Sequence, residues 1–324
     1  MTYIELHARS AFSFLEGASV PEELIAACLK LEISAMALLD RDGVYGSPRF
    51  HLAAKKNGIK AHIGAEITVQ SPHPAPNPKS KVQRRKQSVG HWTLEVGQKR
   101  QKPTVRIPVL VRDRMGYQNL CRLITLMKLR VPKHAKPGEC AVSMDELAAH
   151  AEGLVCLTGE DAGPLGARDG EIRRQDPEKN LRIAEWLIDV FGKGNVYAEL
   201  QRHFNRQEEA RNQAIVELAR RLDLPLLATN GVCHTTPLQR EVADVFTCLR
   251  NHVRLENAGR MLSRNSERYL KPASSMVKLF ADLPEAIANT VELSSRLEFT
   301  LEDLGYEFPK YPAPRGETMT SFLR

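Results

Sequence analysis

The stretch Glu5-Leu6-His7-Ala8-Arg9-Ser10, running on into Phe12-Ser13-Phe14-Leu15-Glu16-Gly17, decides how the chain is read. Residues 3–6 are apolar enough for a short buried strand, and a His, an Arg, a Ser and a Glu leave its end together. Barrels of parallel strands gather their chemistry at the strand ends, so this cluster predicts a site at a barrel mouth. Working outward, Ala35-Met36-Ala37-Leu38-Leu39 is a second apolar run that ends in Asp40-Arg41-Asp42-Gly43. Between the two, residues 21–31 read as helix. Pro21 suits the first helical position, Glu22 and Glu23 favour the positive end of the dipole, and Leu24, Ile25, Cys28 and Leu29 form a stripe. Strand, helix, strand is the βαβ unit of a parallel sheet.

The alternation continues. A helix over 48–57 stops at Gly58, as a C-terminal glycine predicts. Further strands fall at 62–69, 107–111, 154–158, 196–200 and 226–229, and helices at 116–130, 144–151, 178–191 and 207–222. Ser143 and Glu146 have the spacing of a capping box. Seven strands alternating with helices predict an α/β fold, a parallel barrel over 1–235, with a doubly wound open sheet as the alternative. Polar residues follow nearly every strand, which favours closure around one mouth. Strands cease after Pro237, and 239–250, 276–280 and 284–297 read as a helical extension over 236–303. A Pro-rich linker and a fresh helical start occupy 304–324, so the pattern predicts a break inside a longer protein. Residues after 237 are expected to expose apolar surface where the missing body packs.

Bulk properties narrow the function classes. The 324 residues are 42% hydrophobic and 26% charged, enough for one large domain with an appendage. Glu5, His7, Arg9 and Glu16 speak against a signal-peptide core, and no run approaches the ~18 apolar residues of a membrane helix. Six scattered cysteines without a C-x-x-C pair fit reduced thiols and a cytoplasmic location. The net charge of +7 is local: residues 70–106 hold nine Lys or Arg against one acid, Glu95, a net +8 that leaves −1 elsewhere. This Pro-rich insertion over 70–105 reads as a loop, with a small hairpin near 92–96. Lys79, Lys81, Arg84, Arg85 and Lys86 are its candidate DNA contacts, and a solvated loop without a partner is the equal alternative.

At the strand ends stand His7, Arg9, Glu16, Asp40, Arg41, Asp42, Glu66, Glu160, Glu199, His203 and His234. Converging carboxylates and histidines point to a metal centre for phosphoester hydrolysis. Arginine, though, cannot ligate a metal. The favoured reading is that guanidinium groups neutralise Asp40, Glu16 and Glu66 by bidentate hydrogen bonds. Walker, G-x-G-x-x-G and nucleophile-elbow motifs are lacking. His51 and His62 read as ordinary helix and strand-edge residues, and Glu208 and Glu209 with Arg211, Arg220 and Arg221 as a solvated helix face.

Leu6-His7-Ala8-Arg9-Ser10-Ala11-Phe12-Ser13-Phe14-Leu15-Glu16-Gly17-Ala18, then Gly64-Ala65-Glu66, Gly116-Tyr117-Gln118-Asn119-Leu120, Leu157-Thr158-Gly159 and Ala228-Thr229-Asn230, form an ordered set. It resembles the polymerase-and-histidinol-phosphatase (PHP) domain at the N-terminus of bacterial C-family polymerases. Glu199-Leu200-Gln201-Arg202-His203, Leu283-Pro284-Glu285-Ala286-Ile287 and Tyr306-Glu307-Phe308-Pro309 look most like the error-prone branch. The resemblance implies a distorted (βα)7 barrel.

Carried over one at a time, the family's metal positions fall as follows. The leading H-x-H is His7-Ala8-Arg9; the following acid is Glu16 where Asp is usual; the Asp-His pair is Asp40-Arg41. Glu66 is kept, a His falls on Arg106, a Cys on Glu160, and the closing Asp-x-His on Gly231-Val232-Cys233. The resemblance therefore implies a vestigial metal site with no catalytic residue and no cofactor in this chain. The Mg²⁺ of polymerisation is expected on later palm aspartates. It implies DNA as partner through the full-length polymerase in replication and damage-induced repair synthesis, with the sliding clamp and other damage-response polymerase subunits as further partners, and no membrane. One alternative is a free-standing metal-dependent phosphoesterase in which His7, Asp40 and Glu66, helped by Glu5, Glu16 and His234, hold one ion. The other is a non-enzymatic DNA- or partner-binding module.

Overall fold

A single curled sheet organises the molecule, a computed structural model that describes residues 2–70, 104–132, 140–160, 162–166, 177–206, 208–304 and 316–322. Its strands are β1 (Glu5–Ala8), β2 (Ala35–Arg41), β3 (Lys60–Gln70), β4 (Thr104–Val111), β5 (Leu154–Leu157), β6 (Val196–Leu200) and β7 (Leu226–Ala228), paired in that order. The helices are α1 (Pro21–Lys30), α2 (Ser47–Lys56), α3 (Arg114–Leu129), α4 (Met144–Ala149), α5 (Pro177–Phe191), α6 (Glu208–Leu222), α7 (Arg240–Asn251), α8 (Leu255–Ala258), α9 (Ala273–Leu279), α10 (Pro284–Arg296) and α11 (Met319–Phe322).

The local signals act as read. Glu22 and Glu23 open α1 behind Pro21, and Ser143 accepts from the Glu146 N–H while Glu146 accepts from the Ser143 N–H. Gly58, at φ +68°, ends the turn that follows α2.

Alternating side chains separate two cores. Met36 and Leu38 of β2 face outward, packing with Leu24, Phe50, Leu120 and Leu187 beneath the helices. Ala37 and Leu39 face inward with Leu6, Leu110, Leu157 and Leu227, and α10 adds Leu293 and Leu297 to that interior cluster. The ring joins at the mouth. Arg9 N–H donates to Val232 O at 2.8 Å and Val232 N–H to His7 O at 2.9 Å, bridging the end of β1 to the segment after β7.

One expectation needs correction: the sheet is not wholly parallel. β4 runs antiparallel to both β3 and β5. An antiparallel neighbour, unlike a parallel one, needs no crossover helix, and Pro72, Pro74, Pro76 and Pro78 disfavour one directly after β3. The reversal has a consequence for the site. The mouth end of β4 is its N-terminal end, which sets Arg106 opposite Thr68, two residues beyond Glu66 along β3. The ladder also claims Gln70, Thr104 and Val105 from the expected insertion. Lys79, Lys81, Arg84, Arg85, Lys86 and the expected hairpin at 92–96 lie outside the described residues.

Beyond 237 the expected apolar exposure is present. Leu238, Val242, Val245 and Leu249 are all exposed, spaced so that they share one side of α7 and the turn before it. No helix among the described residues is long and apolar enough to cross a membrane.

Candidate functional site

His7 stands at the centre of the mouth, fully buried between two carboxylates. Its Nδ1 lies 2.6 Å from Glu199 Oε1 and its Nε2 2.5 Å from Glu66 Oε1. Burial alone disfavours the imidazolium, but the two acids outweigh it and raise the His7 pKa to about 10. Glu66 shows the reverse balance: burial opposes its charge, yet Arg9, His7 and Arg106 hold it down at about 2. Glu199 is also lowered, its burial outweighed chiefly by His7, and it accepts from Gln201 Nε2 at 2.9 Å and from the Thr229 hydroxyl. Below this level Glu5 accepts from the Tyr3 hydroxyl at 2.7 Å and from the His7 and Asn230 N–H groups, and burial pushes its pKa up to about 7.

Arg9 is also buried, with its guanidinium spread across the mouth. Nε donates to Glu66 Oε1 at 2.7 Å, Nη2 to Glu160 Oε1 at 2.5 Å and Nη1 to Cys233 Sγ at 3.4 Å. Arg268, reaching in from before α9, pairs with the other oxygen of Glu160. These two arginines overcome burial and hold Glu160 well below the usual carboxylate range.

A second group surrounds Glu16. Arg41 Nη1 pairs with Oε1; Arg106 donates through Nη1 to Oε2 at 2.8 Å and through Nη2 to Oε1 at 3.0 Å; Arg250 of α7 brings Nη1 to 3.5 Å from Oε1. Glu16 is lowered although burial opposes its charge, with Arg106 the largest favourable influence. Arg106 also stands 3.8 Å from Glu66 Oε2, which couples the two groups.

Asp40 corrects the sequence reading. No guanidinium among the described residues pairs with it. It accepts instead from Ser10 N–H and Oγ, both at 2.9 Å, and from Ser13 Oγ at 2.8 Å. The physical reason is direction: Arg41, next in the strand, points to the other side of the chain and takes Glu16. The remaining positions are also accounted for. Gly231 has φ +53°, and a Cβ there would meet Gln201 Oε1 at 2.7 Å and Arg268 Nη1 at 2.9 Å. Cys233 Sγ accepts the long bond from Arg9 and donates to Gly231 O at 3.5 Å. His234 turns away to the Thr236 carbonyl at 2.9 Å and makes no bond to the His7 cluster among the described residues.

Two residues set aside in the sequence, Glu208 and His62, have buried partners. His203 bonds Glu208 Oε1 at 2.8 Å and Asn230 O at 2.9 Å, so Glu208 is not a solvated helix residue. His62 is buried in β3 rather than at a strand edge, with Nε2 2.7 Å from Ser294 Oγ of α10, and burial lowers its pKa to about 3. Arg268 and Arg250 carry no sequence signal for this role, since nothing in a lone arginine far down the chain marks it as returning to a strand end.

The described residues include no group of three or more His, Cys, Asp or Glu side chains arranged to hold a metal ion. Both His7 nitrogens already face carboxylates, and Arg9 lies between Glu66 and Glu160. Three buried carboxylate oxygens at the mouth, Glu66 Oε2, Glu160 Oε2 and Glu199 Oε2, accept no hydrogen bond among the described residues, although Glu160 Oε2 is ion-paired with Arg268.

Fold and mouth together define a distorted α/β barrel with its polar centre at the strand ends. The chain belongs to the PHP domain family, whose model matches residues 5–203. It is similar to error-prone DNA polymerases, at 34% identity over 316 residues to that of Anaeromyxobacter dehalogenans (strain 2CP-1 / ATCC BAA-258), covering 96% of this chain and 24% of that one. The error-prone DNA polymerase of Nocardia farcinica (strain IFM 10152) is 34% identical over 343 residues, covering 99% of this chain and 29% of that protein. The chain thus spans about a quarter of the length of these curated relatives. Among solved structures, a candidate metal-dependent phosphoesterase from Bifidobacterium adolescentis covers 71% of this chain and 87% of its own at TM-score 0.44 and 13% identity.

Proposed function

We propose that this chain is the N-terminal PHP region of an error-prone DNA polymerase acting in replication and damage-induced repair synthesis, and that its barrel mouth is a brace, not a hydrolytic centre. One observation carries the reading. Where the resemblance places ligand histidines there are guanidinium groups, and Arg9 bonds Glu66 and Glu160 at once. The residues present do not fit a metal cluster, since Arg9, Arg41 and Arg106 cannot ligate and Gly231 has no side chain. Positive charge from arginine offsets the buried carboxylates in place of metal ions. His7, charged between Glu66 and Glu199, ties β1 to β3 and β6. Arg106 ties β4 to the loop after β1. In this reading the barrel is a rigid platform for a polymerase body that binds DNA and carries the Mg²⁺-dependent nucleotidyl transfer in the cytoplasm, alongside the clamp and damage-response subunits.

The test has two parts. The chain, expressed with Mn²⁺, Fe²⁺ and Zn²⁺ in the medium, should purify with well under one equivalent of metal and should leave p-nitrophenyl phosphate intact; stoichiometric metal together with hydrolysis overturns the brace. The product of the complete reading frame should extend a primer on damaged templates, and a product unable to do so overturns the polymerase assignment.

A further inference from the structure

Glu16 is one carboxylate facing three guanidinium groups, those of Arg41, Arg106 and Arg250. The nearest additional acids do not restore the balance. Glu66 is already held by His7 and Arg9, and Asp42, 3.6 Å from Arg41 Nε, already accepts from Thr68 N–H at 2.7 Å and Thr68 Oγ1 at 2.9 Å. Around Glu16 itself the balance is three guanidinium groups to one carboxylate, and the next acids out are Asp42, 3.6 Å from Arg41, and Glu66, 3.8 Å from Arg106. The surplus positive charge lies at the solvent edge, because the Arg41, Arg106 and Arg250 side chains are 20%, 25% and 37% exposed whereas Glu16 is 6% exposed.

Donors are in surplus as well. Arg41 Nη2, Arg106 Nε and both Nη2 and Nε of Arg250 have no hydrogen-bond partner among the described residues. The three side chains converge, since Arg41, Arg106 and Arg250 all approach the same oxygen, Glu16 Oε1. Three planar guanidinium forks gathered around one carboxylate, each partly exposed and with N–H groups to spare, suit a tetrahedral oxyanion. Arg250 comes from α7, outside the residues matched by the family model, so this rim is a feature of the whole chain and not of the barrel alone.

We propose that Arg41, Arg106 and Arg250 form a binding site for a phosphate oxyanion at the edge of the mouth, with Glu16 as the internal counter-ion that keeps the three arginines together when the site is free. The phosphate is either the free ion or one in a DNA backbone. The proposal rests on the metal-free reading only in that the arginines, not an ion, supply the attraction.

Titration of the full 324-residue chain with inorganic phosphate, at matched ionic strength and in the presence of EDTA, tests it. Saturable binding is expected, beyond any effect of chloride. Arg250→Gln, which removes a side chain 37% exposed and without another partner among the described residues, should weaken it about tenfold. Glu16→Gln should tighten it about tenfold, because the competing carboxylate is gone. These opposite signs separate a site from general loss of folding. A short single-stranded oligodeoxynucleotide that displaces phosphate in the wild type and fails to bind Arg250→Gln identifies the backbone as the source, and one that does not displace it identifies the free ion. No saturable binding with or without EDTA overturns this proposal alone. Binding that EDTA abolishes overturns both it and the brace. Binding unchanged in Arg250→Gln and Glu16→Gln assigns the phosphate elsewhere and also overturns the proposal.

Discussion

Arg9 and Glu66 meet at 2.7 Å across an intervening strand: Arg9 follows β1, Glu66 lies in β3, and β2 runs between them. Both are buried, and Glu66 takes a second partner in His7 at 2.5 Å. An ion pair of this kind differs from the surface pair Arg49–Glu22, which is about half exposed. Burial makes each charge dependent on the other, since the cost of removing it from water is met only while the partner is present.

Truncating one partner should therefore be expensive. Arg9→Met leaves Glu66 and Glu160 without their shared cation and should lower unfolding stability by about 3–5 kcal/mol in urea denaturation. The double variant Arg9→Met/Glu66→Gln should recover part of that loss, by more than ~0.5 kcal/mol, because the orphaned charge has gone too. Additive losses would mean that the two residues do not act as a pair.

The pH dependence follows from the same groups. Glu66 is held at about 2, and Glu16, Glu160 and Glu199 are also lowered. Their contribution is present above the unfolded carboxylate pKa, ~4.3, and is lost as the pH falls toward 2. His7, raised to about 10, contributes fully below the unfolded value of ~6.5 and loses that contribution as the pH rises through 10. Glu5, raised to about 7 because burial favours the neutral acid, contributes fully below ~4.3 and loses that contribution as the pH rises through 7. Urea midpoints should thus fall as the pH is lowered toward 2 and again as it is raised toward 10, and His7→Gln should flatten the alkaline limb. An unchanged alkaline limb in that variant would remove His7 as its source.

Much of this arrangement was legible from residue order. The continuous apolar run at 35–39 marks β2, and the strand ends carry the polar residues that meet at the mouth. What the order could not carry was direction. Asp40 and Arg41 are neighbours, so a simple reading pairs the arginine with the acids around it, yet β-strand alternation sends them to different partners. The reversal of β4 was likewise hidden, because an apolar run reads the same in either direction. Arg250 and Arg268 return to the mouth from helical sequence, and only the packing of the later helices on the barrel brings them there.

Asp40 and Arg41 give a direct contrast. The Asp40 carboxylate is held by donors alone: Ser10 N–H, Ser10 Oγ and Ser13 Oγ. Asp40→Asn offers an amide NH2 where an acceptor is needed and should cost about 1–3 kcal/mol. Arg41→Gln should cost less than ~1 kcal/mol, since Arg41 is partly exposed and Arg106 still pairs with Glu16. Thermal or urea unfolding of the two variants ranks them, and a larger loss for Arg41→Gln would restore the view that guanidinium neutralises this side of the mouth.

Gly231 tests whether a ligand can be put back. Gly231→Asp returns a carboxylate to the position where the family pattern has one, but the site has closed around the missing side chain. The new Cβ would lie 2.7 Å from Gln201 Oε1, and Gln201 is buried and tied through Nε2 to Glu199 at 2.9 Å and Thr229 at 3.2 Å, so it has little room to move. Arg268 Nη1, 2.9 Å from the same point, is more mobile and would pair with the new acid, but only by loosening its hold on Glu160. The backbone adds a further ~1 kcal/mol, because φ +53° is left-handed space that L side chains adopt at a cost. Gly231→Asp should therefore destabilise the chain by about 1–3 kcal/mol and bind no Mn²⁺ or Zn²⁺ in calorimetric titration. Tight stoichiometric metal binding by this single variant would mean that the remaining acids and His7 were a site short of one ligand, and not a set of charges already matched by arginine.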